Sequence, residues 1–237
     1  MAELSNPTTD STELLRLEER LPPLLAVIAG MVDVIGFLRL GLFTAHITGN
    51  LVVITARVAQ GQRPHLAQVL AVPVFVIAVA AIWWIAKTLK RRGRALAQPL
   101  LLIQFLLLTF VLTLSIIYSS TVNPPDWMSA LIALTAVSAM ACQFALVRLS
   151  LEIAPTAVMT GNLTNATLCL LDTLSRREPL TKDAGVRLNK ALKLVGGFFV
   201  GCIGGAAAVS WLGNWSWSVP VVLSGIAVAL GRNRSLV

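Results

Sequence analysis

Long apolar segments occupy most of the chain beyond residue 20. A helix that crosses a bilayer needs about 20 consecutive apolar residues, and five segments reach or approach that length: 66–86, 97–118, 127–147, 194–212 and 216–230. Charged residues make up 13% of the chain, against roughly 25% in soluble domains. The sequence therefore predicts an all-α, polytopic membrane helical bundle with no room for a soluble domain.

The basic residues indicate how the spans are oriented. The net charge is +8, but the Lys and Arg residues flank the spans, above all in "KTLKRRGR" (87–94) and in 176–193, as the positive-inside rule expects. This distribution favours membrane topology over a nucleic-acid partner. It places the polar N-terminal tail, residues 1–20, and the C-terminus in the cytoplasm. No cleavable signal peptide is expected in that tail.

The two halves of the membrane region resemble each other. "GMVDVIGFLRLGL" (30–42) aligns without a gap with "AMACQFALVRLSL" (139–151), and each segment is followed by Thr-Gly-Asn-Leu, at 48–51 and at 160–163. Two more spans follow each copy, so each repeat has three elements and the second copy enters the membrane from the opposite side. The pattern predicts two inverted-topology repeats, 21–119 and 127–232, an architecture found in many secondary transporters.

The Thr-Gly-Asn motifs interrupt apolar segments and predict a broken helix in each repeat. Glycine supplies unusual dihedral angles, and Thr or Asn can cap the start of a helix. The same plan is expected in both copies: a full helix (21–42; 127–149), a non-helical return (43–49; 150–161) and a re-entrant half-helix (50–60; 162–175). The N-termini of the half-helices would offer free N–H groups to a polar or anionic solute. The alternative is tight glycine packing with no ligand.

Asp33 is the most informative polar residue. It lies about 18 Å into the first helix at 1.5 Å per residue, and an acid at that depth is by default a functional-site hypothesis. It would carry a proton or a cation, or contact a ligand. The alternatives are an ion pair with Arg39 or Arg148, or a hydrogen-bonded acid. Its repeat counterpart is Cys142, with Gln143 adjacent.

The complete candidate set follows from these patterns. The expected solute-binding residues are Asp33, His46, Thr48, Gly49, Asn50, Gln143, Thr160, Gly161 and Asn162. Arg39 and Arg148 would neutralise Asp33, bind an anion, or extend to the membrane interface. Gly197, Gly201 and Gly205 recur every four residues, which predicts a helix-packing face.

The sequence argues against an enzyme. It contains two histidines and none of the motifs HExxH, GxSxG or CxxC, so no metal or cofactor is expected. The first hypothesis is therefore a secondary transporter or channel for a small solute. The solute is unknown, and the half-helix termini suit one with an anionic group. The alternative is a non-catalytic accessory or scaffold subunit of the membrane. Homo-oligomerisation stays open.

"GMVDVIGF…FTAHITGN" and "QFALVR…TAVMTGNLT" together resemble the YoaK-like family of uncharacterised bacterial membrane proteins, over nearly the whole chain from about residue 20. The resemblance implies a six-span protein of the bacterial inner membrane and carries no established activity. Members of that family usually have Gln-Asn in the second motif, whereas here Phe144 follows Gln143.

Overall fold

The computed structural model describes residues 7–121, 125–151, 159–175 and 182–232, and these ranges contain helices and no strand. The helices are α1 (Pro7–Leu40), α2 (Gly49–Ala59), α3 (Leu66–Arg91), α4 (Ala97–Ser120), α5 (Asp126–Leu146), α6 (Met159–Ser175), α7 (Lys182–Leu212) and α8 (Ser218–Arg232). A π-helical turn (Val147–Leu151) follows α5, and a 3₁₀ turn (Gly213–Trp215) precedes α8.

Five helical segments are long and apolar enough to cross a membrane: Arg20–Leu40, Leu66–Arg91, Ala97–Ser120, Asp126–Leu149 and Leu188–Trp215. They fit the predicted multi-pass membrane protein. Helix α8, the sixth span that the sequence predicts, has 15 residues, or about 22 Å at 1.5 Å per residue. It is therefore shorter than the ~30 Å hydrocarbon core of a typical bilayer.

Helices α1 and α5 form the centre of the bundle. Helix α1 packs against α7 and α8, α5 packs against α3 and α4, and α4 contacts α8. Both central helices are apolar on nearly every side, and such helices are buried by their neighbours. The core residues of α1 and α5 include Leu25, Ile28, Met140 and Leu146.

Glycine residues line the contact between α1 and α7. A Cβ added to Gly205 would lie 2.8 Å from the carbonyl oxygen of Met31, and one added to Gly197 would lie 2.9 Å from that of Pro23. A Cβ on Gly201 would overlap the carbonyl oxygen of Val27. The two backbones therefore approach more closely than any larger residue would allow, as in other small-residue contacts between membrane helices.

The first helix break lies close to its predicted position. Helix α1 ends at Leu40, and Gly41 adopts φ +71° while its N–H donates to the Phe37 carbonyl at 3.0 Å. A left-handed glycine is a common way to end a helix, so the non-helical stretch begins two residues earlier than predicted. At its other end, α1 includes residues 7–20, so the polar segment continues the first span as helix.

The second break is described only in part. Helix α5 ends in the π-helical turn, and α6 begins at Met159, before its Thr-Gly-Asn motif. Most of the predicted return, including Pro155, lies outside the described residues.

Candidate functional site

The chain turns back along α1 after that helix ends. Leu40 is seven residues beyond Asp33, or about 10 Å further along the axis, yet the backbone amides of Thr44 and Ala45 lie 2.8 Å from Asp33 Oδ1. Residues 41–48, here called the return loop, therefore descend beside the last turns of α1. Gly36 makes room for them, since a Cβ there would lie 2.8 Å from Thr44 Cγ2.

The Asp33 carboxylate is enclosed by the return loop. Its Oδ1 accepts hydrogen bonds from the two amides above and a longer one from the His46 amide at 3.4 Å, and its Oδ2 lies 2.7 Å from His46 Nδ1. The side chain is buried. Burying a carboxylate is costly unless hydrogen bonds and an opposite charge compensate, and successive backbone amides form a favourable anion nest. The loop thus supplies the partners that this depth requires.

His46 lies between the buried Asp33 carboxylate and the outside of the site. Its side chain is 36% exposed, and its ring meets the edge of Phe198 on α7 at a centroid distance of 5.1 Å. Since Nδ1 faces Asp33, Nε2 is the ring atom left for an external group, and no described residue forms a hydrogen bond with it. A histidine held by a carboxylate in this way can pass a proton or contact a ligand.

Asn50 fastens the start of α2 to the return loop. Its side chain is fully buried, its Oδ1 accepts from the Phe43 amide at 2.8 Å, and its Nδ2 donates to the Phe43 carbonyl at 2.7 Å. The Phe43 ring stacks on Phe37 of α1 with centroids 4.7 Å apart. Thr48 is exposed and forms no side-chain cap. The asparagine therefore holds the loop instead of capping the helix.

The first-turn amides of α2 are not free. Those of Gly49, Asn50 and Leu51 donate to the carbonyls of His46, Ile47 and Thr48, at 2.8–3.2 Å. The prediction of open N–H groups at this terminus was wrong, because a tight turn before the helix satisfies groups that a helix start normally leaves unpaired.

The second motif has the same burial pattern as the first. Asn50 and Asn162 are 0% and 4% exposed, whereas Leu51 and Leu163 are 49% and 54% exposed. The threonine of each motif, Thr48 or Thr160, is exposed, and Gly161 is half-buried like Gly49. However, α2 packs mainly on α3 and α6 packs on α7. The structure therefore gathers Asp33, His46 and Asn50 into one site and places residues 160–162 in another helix pair.

Gln143 belongs to a separate buried polar cluster. Its Oε1 accepts from Gln104 Nε2 at 2.7 Å, and its Nε2 donates to the Leu25 carbonyl at 2.8 Å. The Cys142 thiol lies 3.1 Å from the Leu100 carbonyl oxygen. This cluster links α1, α4 and α5 instead of joining the Asp33 site. Gln104 was not among the predicted residues, although an amide inside an apolar span is a signal in itself.

The predicted arginine partners lie elsewhere. The Arg39 guanidinium donates to the Asn214 side chain, and Arg148 is exposed in the π-helical turn. Arg39 is six residues beyond Asp33, which at 3.6 residues per turn places it on a different face of α1 and about 9 Å further along. Within the described ranges, the partner of Asp33 at ion-pair distance is His46.

Gln68 also holds the return loop, and the sequence patterns did not identify it. Its Nε2 donates to the Gly41 carbonyl at 2.6 Å, and its Oε1 accepts from the His65 amide at 3.2 Å. The side chain is fully buried. It ties the beginning of the loop to the beginning of α3, so two amide side chains hold the first residues of the loop, Gln68 at Gly41 and Asn50 at Phe43.

The chemistry available at the site is that of one carboxylate and one imidazole. A proton can move between Asp33 Oδ2 and His46 Nδ1 across 2.7 Å. Within the part of the chain that the structure describes, no group of three or more His, Cys, Asp or Glu residues could hold a metal ion.

The comparisons with known proteins concern almost the whole membrane region. Neither a curated protein nor a solved structure matches the chain significantly. The family model described as "Protein of unknown function (DUF1275)" matches residues 21–230, from the first apolar turn of α1 to the end of α8. This match agrees with the resemblance to an uncharacterised family. The chain therefore belongs to the DUF1275 family.

Proposed function

We propose that the protein is a small-solute secondary transporter or channel whose polar centre is the Asp33–His46 pair. One observation carries the proposal: a buried carboxylate in a span-like helix is held 2.7 Å from an imidazole that is itself partly exposed. Ionisable groups at such positions commonly mark solute or proton pathways. The proposal includes no catalytic step and no nucleic-acid partner.

The return loop connects the protonation of this pair to a change of structure. Ionised acceptors form hydrogen bonds roughly twice as strong as neutral ones, so a proton on Asp33 weakens its bonds to the Thr44 and Ala45 amides. The loop would then be held mainly by Asn50 and Gln68. A solute with an acceptor group, such as a carboxylate, would contact His46 Nε2 and shift the same equilibrium.

The helix contacts support an internal repeat as the framework for alternating access, and the odd number of elements expected in each copy makes that repeat inverted. If α1 to α4 correspond to α5 to α8, the contact of α1 with α7 corresponds to that of α5 with α3. Likewise, α1 with α8 corresponds to α5 with α4, and α2 with α3 to α6 with α7. All of these contacts occur. In this proposal the two breaks are re-entrant segments, and each repeat's first helix packs on the other repeat's last two.

The same proposal assigns the orientation. Arg92 and Arg94 lie between α3 and α4, and Lys190 and Lys193 lie in the first turns of α7. On the charge rule, these segments and both termini face the cytoplasm of a bacterial inner membrane.

Proton-coupled uptake by proteoliposomes tests the proposal. The full chain is reconstituted with pyranine inside, and succinate or inorganic phosphate is added outside. We expect at least one solute to acidify the lumen, and Asp33→Asn to abolish the signal. Asp126→Asn is the matched control because Asp126 is exposed at the start of α5. Wild-type transport by Asp33→Asn would contradict the assignment of the site.

An accessory or scaffold role is the second candidate. The observation that favours it is that the described donors around Asp33 and the first-turn amides of α2 are all used within the chain. In that case Asp33 only shapes the loop. The Asp33→Asn variant would then complement a deletion strain as well as the wild-type protein does. The wild-type protein would also co-purify with one stoichiometric membrane partner.

A further inference from the structure

A basic groove lies at the C-terminal end of α3, away from the Asp33 site. It has a volume of about 480 Å³ and is lined by Trp83, Ala86, Lys87, Lys90, Arg91 and Leu149. The described residues that line it include three cations and no acid. Leu149 belongs to the π-helical turn after α5, so the groove lies where the ends of two predicted spans meet.

Two of the three cations of the groove have described partners that hold them in place, and neither of these partners is an acid. Lys87 Nζ lies 4.6 Å above the centre of the Trp83 ring, and Lys90 Nζ lies 3.5 Å from the Leu149 carbonyl oxygen. Among the described residues, no carboxylate comes within ion-pair distance of Lys87, Lys90 or Arg91. Like charges three or four residues apart on a helix repel each other. An anion bound between them would relieve that repulsion.

The surface of α3 leading to the groove is apolar and open. Val76, Trp83 and Lys90 are spaced by seven residues and therefore share one face of the helix. Val76 and Trp83 are 60% and 45% exposed. Val76, Trp83 and Lys90 thus form one stripe along α3. A neighbouring stripe has the same order of apolar, aromatic and basic residues: Ile77 and Trp84 are exposed, and Arg91 lies at its end.

These stripes have the dimensions of one lipid leaflet. From Val76 to Lys90 the helix rises about 21 Å, which exceeds half of a ~30 Å hydrocarbon core. The tryptophans lie between the apolar part and the cations, where aromatic residues occur at membrane interfaces. The order of apolar, aromatic and basic groups complements a molecule with acyl chains and an anionic head.

We propose that this groove binds one anionic phospholipid. The head-group phosphate lies among Lys87, Lys90 and Arg91, and the acyl chains lie along the stripes that contain Val76 and Ile77. Basic pockets between membrane helices are suited to such head groups. The lipid would join α3 to the π-helical turn after α5 and so stabilise the contact between the two halves of the chain.

Native mass spectrometry of the full chain in detergent tests the proposal, with phosphatidylglycerol and phosphatidylcholine of identical acyl chains as probes. We expect the wild type to bind phosphatidylglycerol at least tenfold more tightly. The double variant Lys87→Gln/Lys90→Gln should weaken this binding about thirtyfold, given the usual contribution of each cation near a membrane surface. The matched control is Arg92→Gln/Arg94→Gln, which removes the same charge outside the groove and should change the affinity less than threefold.

Three results would overturn the proposal. The first is equal affinity for the two lipids, and the second is an equal loss in both double variants, which would indicate diffuse surface charge. The third is equally tight binding of inorganic phosphate alone, which would assign the groove to a free anion. The variant Lys87→Arg/Lys90→Arg is the control for misfolding. It keeps the charges, so it should retain phosphatidylglycerol binding within about threefold if the cations act as proposed.

Discussion

Asp33 contributes to the structure through the groups that surround it. Three backbone amides and one imidazole converge on its carboxylate, and all of them come from the return loop. The carboxylate therefore fixes the path of the return loop by accepting hydrogen bonds from amides that belong to no helix. At the scale of one residue, the same hydrogen bonds form the candidate site and hold the loop in its fold.

Removing the Asp33 side chain should destabilise the protein more than neutralising it. Asp33→Ala leaves the Thr44 and Ala45 amides without an acceptor, and two such buried groups cost roughly 2–6 kcal/mol. Asp33→Asn keeps an acceptor oxygen and should cost about 1–2 kcal/mol, since only the charge is lost. Thermal unfolding in detergent measures both variants. Equal midpoints for Asp33→Ala and the wild type would show that the loop does not depend on the carboxylate.

Asn50 should behave as a structural fastener of the loop. Asn50→Ala removes both hydrogen bonds to the Phe43 backbone and should lower the free energy of unfolding by roughly 1–3 kcal/mol. Asn165→Ala is the control, because Asn165 is an exposed asparagine of α6. Its effect should stay within about 0.5 kcal/mol. Limited proteolysis of the return loop should accelerate in Asn50→Ala alone, and equal rates in the two variants would exclude this role.

The sequence identified the acid but not its partners. Asp33 stands out because an acid in an apolar helix is costly, whereas the amides of Thr44 and Ala45 belong to residues whose identity carries no signal. Charge alone favours Arg39 as a partner, but helical geometry turns it away from Asp33. Gln68 could have been identified, since a buried amide in a span needs hydrogen-bond partners for the same reason that a buried acid does.

At the scale of the helix, α1 and α7 are joined by close contact between their backbones. The contact continues at Phe198 of α7, since a Cβ added to Gly30 of α1 would overlap the Phe198 carbonyl oxygen. The glycines thus bring the Asp33 region of α1 close to the helix that carries the aromatic neighbour of His46. The helix contact and the site depend on the same close approach.

Gly201→Ala should separate the two helices. The added Cβ has no space beside the Val27 carbonyl, and overpacking of this kind typically costs about 1–3 kcal/mol. Gly196→Ala is a matched control on the same helix, since no described atom lies within 4 Å of its added Cβ. That change should be neutral or stabilise the helix by up to about 1 kcal/mol. Thermal unfolding in detergent compares them, and equal destabilisation would rule out the contact.

Apolar length predicted the helices well because hydropathy reports directly on what a bilayer tolerates. The span ends at 97–118 and 127–147 agree with α4 and α5 to within a few residues. The course of the return loop could not be predicted in this way, since it depends on hydrogen bonds between residues that no periodicity relates. The glycine spacing of α7 indicated a packing face, but it did not identify α1 as the partner.

For the whole molecule, the exchanged contacts between the halves have a mechanical consequence. Helix α1 packs on α7 and α8, and α5 packs on α3 and α4, so neither half is a separate body. A movement of one half against the other must therefore change the α1–α7 contact, beside which His46 lies. This arrangement connects the polar site to any rearrangement of the bundle.

The proposed inverted repeat predicts that equivalent loops lie on opposite sides of the membrane. The segment between α2 and α3 corresponds to the start of α7, so Gln62→Cys and Gly185→Cys should react with a membrane-impermeant maleimide from opposite faces. Both positions are accessible for labelling, Gln62 in an exposed loop and Gly185 with open space around it. The three native cysteines are first replaced by alanine. This cysteine-free protein, which should not react with the maleimide, is the control. Because each repeat is expected to have three elements, an odd number, reaction of the two cysteines from the same face would contradict the inverted repeat.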